Sequence, residues 1–125
     1  MKQALFSLIA VSAVGLAAIA RGAELDQLRV LFVGDTHSPR AKHFAGFLQK
    51  NVGRVAVAER QNFKPAQATN FDVILLDWPQ SELAREERSR RSPLGDRATW
   101  TTPTVLLGSA GLNLAVVWKV RGGSG

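Results

Sequence analysis

Four short apolar runs punctuate this chain: Arg29 to Gly34 ("RVLFVG"), Arg54 to Ala58 ("RVAVA"), Phe71 to Trp78 ("FDVILLDW") and Thr104 to Leu107 ("TVLL"). None alternates regularly between apolar and polar residues. Runs of this kind are what strands buried on both faces of a parallel sheet require. Between the first two the period changes. Ser38-Pro39 supplies a helix N-cap followed by proline at the first helical position. A helix from Pro39 to Asn51 then places Ala41, Phe44, Ala45, Leu48 and Val52 on one face. Gly53 is expected to end that helix as a left-handed C-terminal cap.

The second run leads into a polar stretch around Pro65 with room for one helical turn, and Pro79 closes the third. From Ser81 to Arg91, "SELAREERSRR", apolar residues nearly vanish. Glu86 with Arg90 and Glu87 with Arg91 can pair at i,i+4, each pair contributing only ~0.2–0.5 kcal/mol. This stretch reads as a solvated helix or loop, with an anion-binding patch as the alternative. After the fourth run a glycine-containing turn leads to a helix from about Leu112.

Strand, helix, strand, loop, strand, strand and helix in this order predict a three-layer α/β domain with a flavodoxin-like, mostly parallel sheet. Sheets of that type normally have five strands, and this sequence supplies four. The sheet is therefore expected to be cut short after the fourth strand, or Arg121 to Gly125 to be the loop before a fifth.

The first segment changes where such a domain works. It carries one Lys, no charge from Gln3 to Ala20, and Ala18 and Ala20 in an A-x-A arrangement. This is the pattern of a signal peptide, residues 1–20, with cleavage preferred after Ala20 and delivery to the periplasm or the exterior. The alternative is an uncleaved N-terminal membrane anchor, because the run lies at the short limit of the ~17–25 residues that span hydrocarbon. Residues 21–125 then form one domain, in keeping with a length of 125 residues.

There is no cysteine, although disulfides persist outside the cytoplasm. That excludes thiolate zinc sites and a cysteine nucleophile from this chain. The formal charge is +6, and cleavage removes only the one charge of Lys2. A basic surface favours anionic partners. Nucleic acid is not expected, because the domain is exported and no aromatic-interleaved basic patch is present. No membrane contact is expected after cleavage, and the sequence carries no signature of an oligomeric state.

In an open parallel sheet, ligands collect at the carboxyl ends of the strands near the point where strand order reverses. Three turns are expected to meet there: Gly34 to Ser38, Asp77 to Gln80 and Gly108 to Gly111. Asp35, Thr36, His37 and Ser38 would line the crevice, with Asp77 and Ser109 facing them. Asp35 and His37 are the candidate acid-base pair, since imidazole titrates near neutrality and a carboxylate would hold its proton. Backbone N–H groups at the helix start would favour a carboxylate or phosphate.

"DTH", Asp35 to His37, resembles the first motif of calcineurin-like metallophosphoesterases. Their later Gly-Asp and Gly-Asn-His motifs are missing, so neither a metal nor another cofactor is expected. "FDVILLDWPQ" looks like the phospho-acceptor strand of response-regulator receivers. Gly34 stands where their second acid would be, which implies a shared fold without shared chemistry. "LLGSAG" is half of a nucleophile elbow, with Leu107 in place of the first glycine and no histidine after Ser109. It reads as a tight turn.

The order "RVLFVGDTHSPRAKHFAGFLQ", "FDVILLDWPQ" and "PTVLLGSAG" resembles the ThuA-like proteins of the class I glutamine amidotransferase-like superfamily in their exported forms. That resemblance implies a flavodoxin-like sheet and a link to carbohydrate use. It does not imply glutaminase activity, because the nucleophilic cysteine is absent. The reading is thus an exported domain binding a small polar or anionic ligand at its strand ends. Two alternatives stand beside it: a non-catalytic cell-surface interaction module using Trp78, Trp100 and Arg88 to Arg91, and a fragment of a larger enzyme.

Overall fold

The computed structural model describes residues 24–85 and 91–120. The segment read as a signal peptide, the expected Glu86–Arg90 and Glu87–Arg91 pairs, most of the Arg88 to Arg91 run and the terminal Arg121 to Gly125 therefore lie outside the described residues. In chain order the elements are β1 (Arg29–Gly34), α1 (Pro39–Asn51), β2 (Arg54–Glu59), two 3-10 turns (Arg60–Asn62 and Pro65–Asn70), β3 (Val73–Trp78), α2 (Gln80–Arg85), β4 (Thr104–Gly108) and α3 (Ala110–Val117). The four strands form one sheet in the order β2-β1-β3-β4, with every pair parallel. This is the flavodoxin-like α/β arrangement that the apolar runs predict. Among the described residues no helix is long and apolar enough to cross a membrane.

The central strands explain why their sequences show no alternation. On β1, Val30 and Phe32 pack with Ala41, Phe44 and Leu48 of α1, while Leu31 and Val33 face the opposite layer with Phe63, Leu94, Ala110 and Leu114. All four strand residues are buried. At ~1.5–3 kcal/mol for each fully buried large apolar side chain, this two-sided burial is a main source of the sheet's stability. The edges behave differently. Val57 on β2 and Val105 and Leu106 on β4 are each more than 40 % exposed, because an edge strand has a neighbour on one side only.

Local signals set the turns. Ser38 caps α1, its Oγ accepting from the Ala41 N–H at 3.1 Å, with Pro39 at the helix start. Gly53 departs from the expected left-handed cap. The cap position is Val52 in an extended conformation, and positive φ among the described glycines occurs at Gly95 and Gly108. What Gly53 meets instead is the backbone of the preceding helical turn. Its N–H donates to the Leu25 carbonyl at 3.0 Å, and a Cβ there would run into the Asp26 carbonyl. Gly108 is the residue that needs left-handed freedom, with φ +63 and the Trp78 carbonyl 2.7 Å from where a Cβ would sit.

At the amino ends of the strands, Asp72 ties β3 to β1. Its carboxylate accepts from the Arg29 backbone N–H at 2.8 Å and from Nε and Nη2 at 3.1 and 2.8 Å. The Arg29 side-chain hydrogen bonds, followed by the backbone one, lower the Asp72 pKa from 3.8 to about 2. A carboxyl whose folded pKa lies below its unfolded value stabilises the fold above the unfolded pKa and loses that contribution as pH falls through the folded one. Acid titration of stability should therefore show a component between about pH 4 and pH 2 that Asp72→Asn removes. Coincident acid-unfolding profiles for the two proteins would contradict this.

Candidate functional site at the strand ends

The open space at the carboxyl ends of the strands is a cleft of about 660 Å³ lined by Asp35, His37, Glu59, Arg60, Gln61, Ser81 and Glu82. The ends of β1 and β2 contribute together because the register is parallel: Gly34 lies opposite Glu59 across the β1–β2 pair, so the residues after β1 and the end of β2 emerge side by side. The turn after β3, running into α2, brings Ser81 and Glu82.

The turn after β1 holds itself together. Asp35 Oδ1 accepts the His37 N–H at 3.1 Å, and the Asp35 carbonyl accepts both the Ser38 N–H at 3.1 Å and the Ser38 hydroxyl at 2.8 Å. Thr36 is tied to the neighbouring strand, its N–H and hydroxyl donating to Glu59 Oε2 at 3.1 and 2.8 Å. The amides that would have welcomed an anion at the start of α1 are thus largely spent on Asp35, Ser38 and Glu59 within the protein. His37 stands out into solvent, its side chain 94 % exposed, with Nδ1 4.0 Å from both Asp35 Oδ1 and Glu59 Oε2. At that separation the Asp35–His37 pair is not hydrogen-bonded through the imidazole.

Behind the cleft the floor is charged but matched. Arg60 is buried, at 3 % exposure, and its guanidinium lies 4.5 Å from the centre of the Trp78 ring. Its Nη1 is 2.8 Å from Glu82 Oε2 and donates to the Asp77 carbonyl at 3.3 Å. A cation on an aromatic face out of water is stabilised by ~2 kcal/mol or more. This arrangement anchors α2 to the end of β3.

The six residues expected to line the crevice divide. Asp35 and His37 line the cleft, and Thr36 and Ser38 shape its rim by positioning Glu59 and the start of α1. Asp77 is placed elsewhere. Alternation along β3 sends Asp77 with Leu75 toward α1, where Arg40 donates Nε to Oδ2 at 2.7 Å and Nη2 to Oδ1 at 2.9 Å. Its side chain is 3 % exposed. That hydrogen bonding raises the Arg40 pKa above its ordinary value. The pair occupies the point between β1 and β3 where strand order reverses. Ser109 is also outside the cleft: its hydroxyl bonds Gln80 Oε1 and its N–H donates to the Trp78 carbonyl at 2.7 Å.

No family model, curated protein or solved structure matches this chain. Glu59, Arg60, Gln61, Ser81 and Glu82 are the lining residues that sequence reasoning left out. The signal for Glu59 was present, since it directly follows an apolar run and so stands at a strand's carboxyl end. Arg60 gave none, because an arginine in a polar stretch reads as solvated.

Proposed function

We propose that this chain is an exported ThuA-like α/β domain whose strand-end cleft binds a small, hydroxyl-rich polar ligand of the carbohydrate class. One observation carries the reading: the ends of β1 and β2 and the first turn of α2 bring Asp35, Glu59 and Glu82, together with His37, Gln61 and Ser81, to a single open cleft. Carboxylates, an amide and a hydroxyl are acceptors and donors suited to sugar hydroxyls. The charge of the described lining residues favours a neutral ligand over an anion. Among the described residues three carboxylates face one guanidinium, and that guanidinium is already engaged by Glu82. A carboxylate or phosphate ligand would meet repulsion where a neutral polyol would not. Binding rather than catalysis is the function proposed, because the exposed His37 is not held on Asp35 as an acid-base pair.

The test is calorimetric titration of the full chain with neutral monosaccharides and their uronic-acid counterparts in the presence of EDTA. Neutral sugars should bind more tightly than the acids, and Asp35→Asn and Glu59→Gln should each weaken binding about tenfold or more. Tighter binding of the acids, or two unaffected variants, would sink the reading.

The rival interaction module draws less support. Trp78 is buried in the core, and Trp100 packs edge-on against Phe63 at 6.5 Å with its indole N–H donating to Thr104 Oγ1.

A further inference from the structure

The geometry points to a divalent transition-metal site, of the zinc class, made by Asp35, His37 and Glu59. This deepens the reading of the cleft as a binding site, since the metal would occupy its rim. The ligand atoms offered by these three residues all lie within 4.8 Å of one another. Zinc at ~2.0–2.2 Å from nitrogen and oxygen ligands in tetrahedral geometry needs donors ~3.4 Å apart. The two distances from His37 Nδ1 are 4.0 Å and the Asp35–Glu59 pair lies within 4.8 Å, so side-chain closures of about 0.5 Å to ~1.4 Å bring the three donors to zinc spacing.

The side chain freest to move is that of His37. His37 is almost fully exposed and its ring has one long contact, to Thr36 Oγ1 at 3.3 Å. The carboxylates are already aimed. Asp35 is fixed by the His37 N–H, and Glu59 by both donors of Thr36, the outer hydrogen bonds that orient ligating carboxylates in metal sites.

Charge points the same way. Among the described residues the ion-pair contacts of Asp35 and Glu59 both run to His37, while the Arg60 guanidinium is matched by Glu82. Two carboxylates and a neutral imidazole offset a divalent charge. A nitrogen ligand among oxygens selects zinc-class metals over calcium or magnesium. Three protein ligands leave a position open toward the cleft, where a water or a ligand hydroxyl would bind.

Chelator-stripped, untagged full chain titrated with zinc chloride at pH 7 tests this directly. One equivalent should bind, calcium should bind at least tenfold more weakly, and His37→Ala and Glu59→Gln should each lower zinc affinity at least tenfold. His43→Ala, on the exposed side of α1, should match the parent protein. Because His37 supports no packing, its variant should keep the parent's thermal unfolding profile. Absence of a one-equivalent event, or zinc affinity unchanged by His37→Ala, would overturn the inference. The sugar titrations run in EDTA separate the two proposals: sugar binding with no zinc site leaves the cleft reading standing alone, and a zinc site with no sugar binding does the reverse.

Discussion

Trp78→Ala should lower unfolding free energy by about 3–5 kcal/mol, the cost of removing a large aromatic from a packed core. Trp78 is 2 % exposed and packs with Ile74, Leu76 and Leu94 on one face of the sheet. It also carries the Arg60 guanidinium on its ring, so the truncation leaves a buried cation without its aromatic support. A loss of this size is a large part of the ~5–15 kcal/mol that holds a typical domain together. Trp78→Phe separates packing from polarity. The buried indole N–H has no hydrogen-bond partner among the described residues. Phenylalanine keeps a ring under Arg60 and removes a donor that is costly to bury unpaired, so its destabilisation should be less than half that of alanine. Urea unfolding measures both. Equal losses for the two variants would contradict the assigned role of the ring.

Arg40→Met should cost about 2–3 kcal/mol, because it leaves the Asp77 carboxylate buried without its cation. Breaking a fully buried pair costs ~3–5 kcal/mol. The discount here reflects Arg40 itself, whose side chain is 45 % exposed and screened by water. Arg40→Met combined with Asp77→Leu should recover most of the loss, since a well-packed apolar pair can replace a buried ionic one. A single variant within about 0.5 kcal/mol of the parent would mark the pair as an ordinary surface salt bridge. The consequence reaches the cleft as well. Arg40 sits in the first turn of α1, two residues after the Ser38 cap, so the pair fixes the base of the turn that presents Asp35 and His37.

Much of the fold was legible because its signals are local. Arg29 to Gly34 and Val73 to Trp78 are buried on both faces, and a run without alternation says so directly. Ser38-Pro39 begins α1 where capping chemistry places it. Gly53 was misread because glycine after a helix has two physical uses, positive φ and close approach, and the second depends on the Asp26 backbone folding back against it. The edges were less legible: "TVLL" carries the composition of a buried strand, yet β4 has a neighbour on one side only.

The site was half legible. Asp35 and His37 could be placed because a strand end followed by a capped helix fixes where a turn points. Asp77 was misplaced because the strand-end rule ignores parity, and alternation from Leu75 would have sent it toward α1. Glu59 joins the cleft through the pairing of β2 with β1. Arg60 is held by Trp78 and Glu82 from two later parts of the chain, a contact that no local pattern encodes.

The proposed function puts ligand at the ends of β1 and β2 and at the turn from β3 into α2. Amide chemical-shift mapping of the full chain during addition of a neutral monosaccharide, with EDTA present, locates the bound sugar. The largest shifts should fall on Asp35 to His37, Glu59 to Gln61 and Ser81 to Glu82. Shifts concentrated at Ser109 and along β4, or none at saturating sugar, would contradict it.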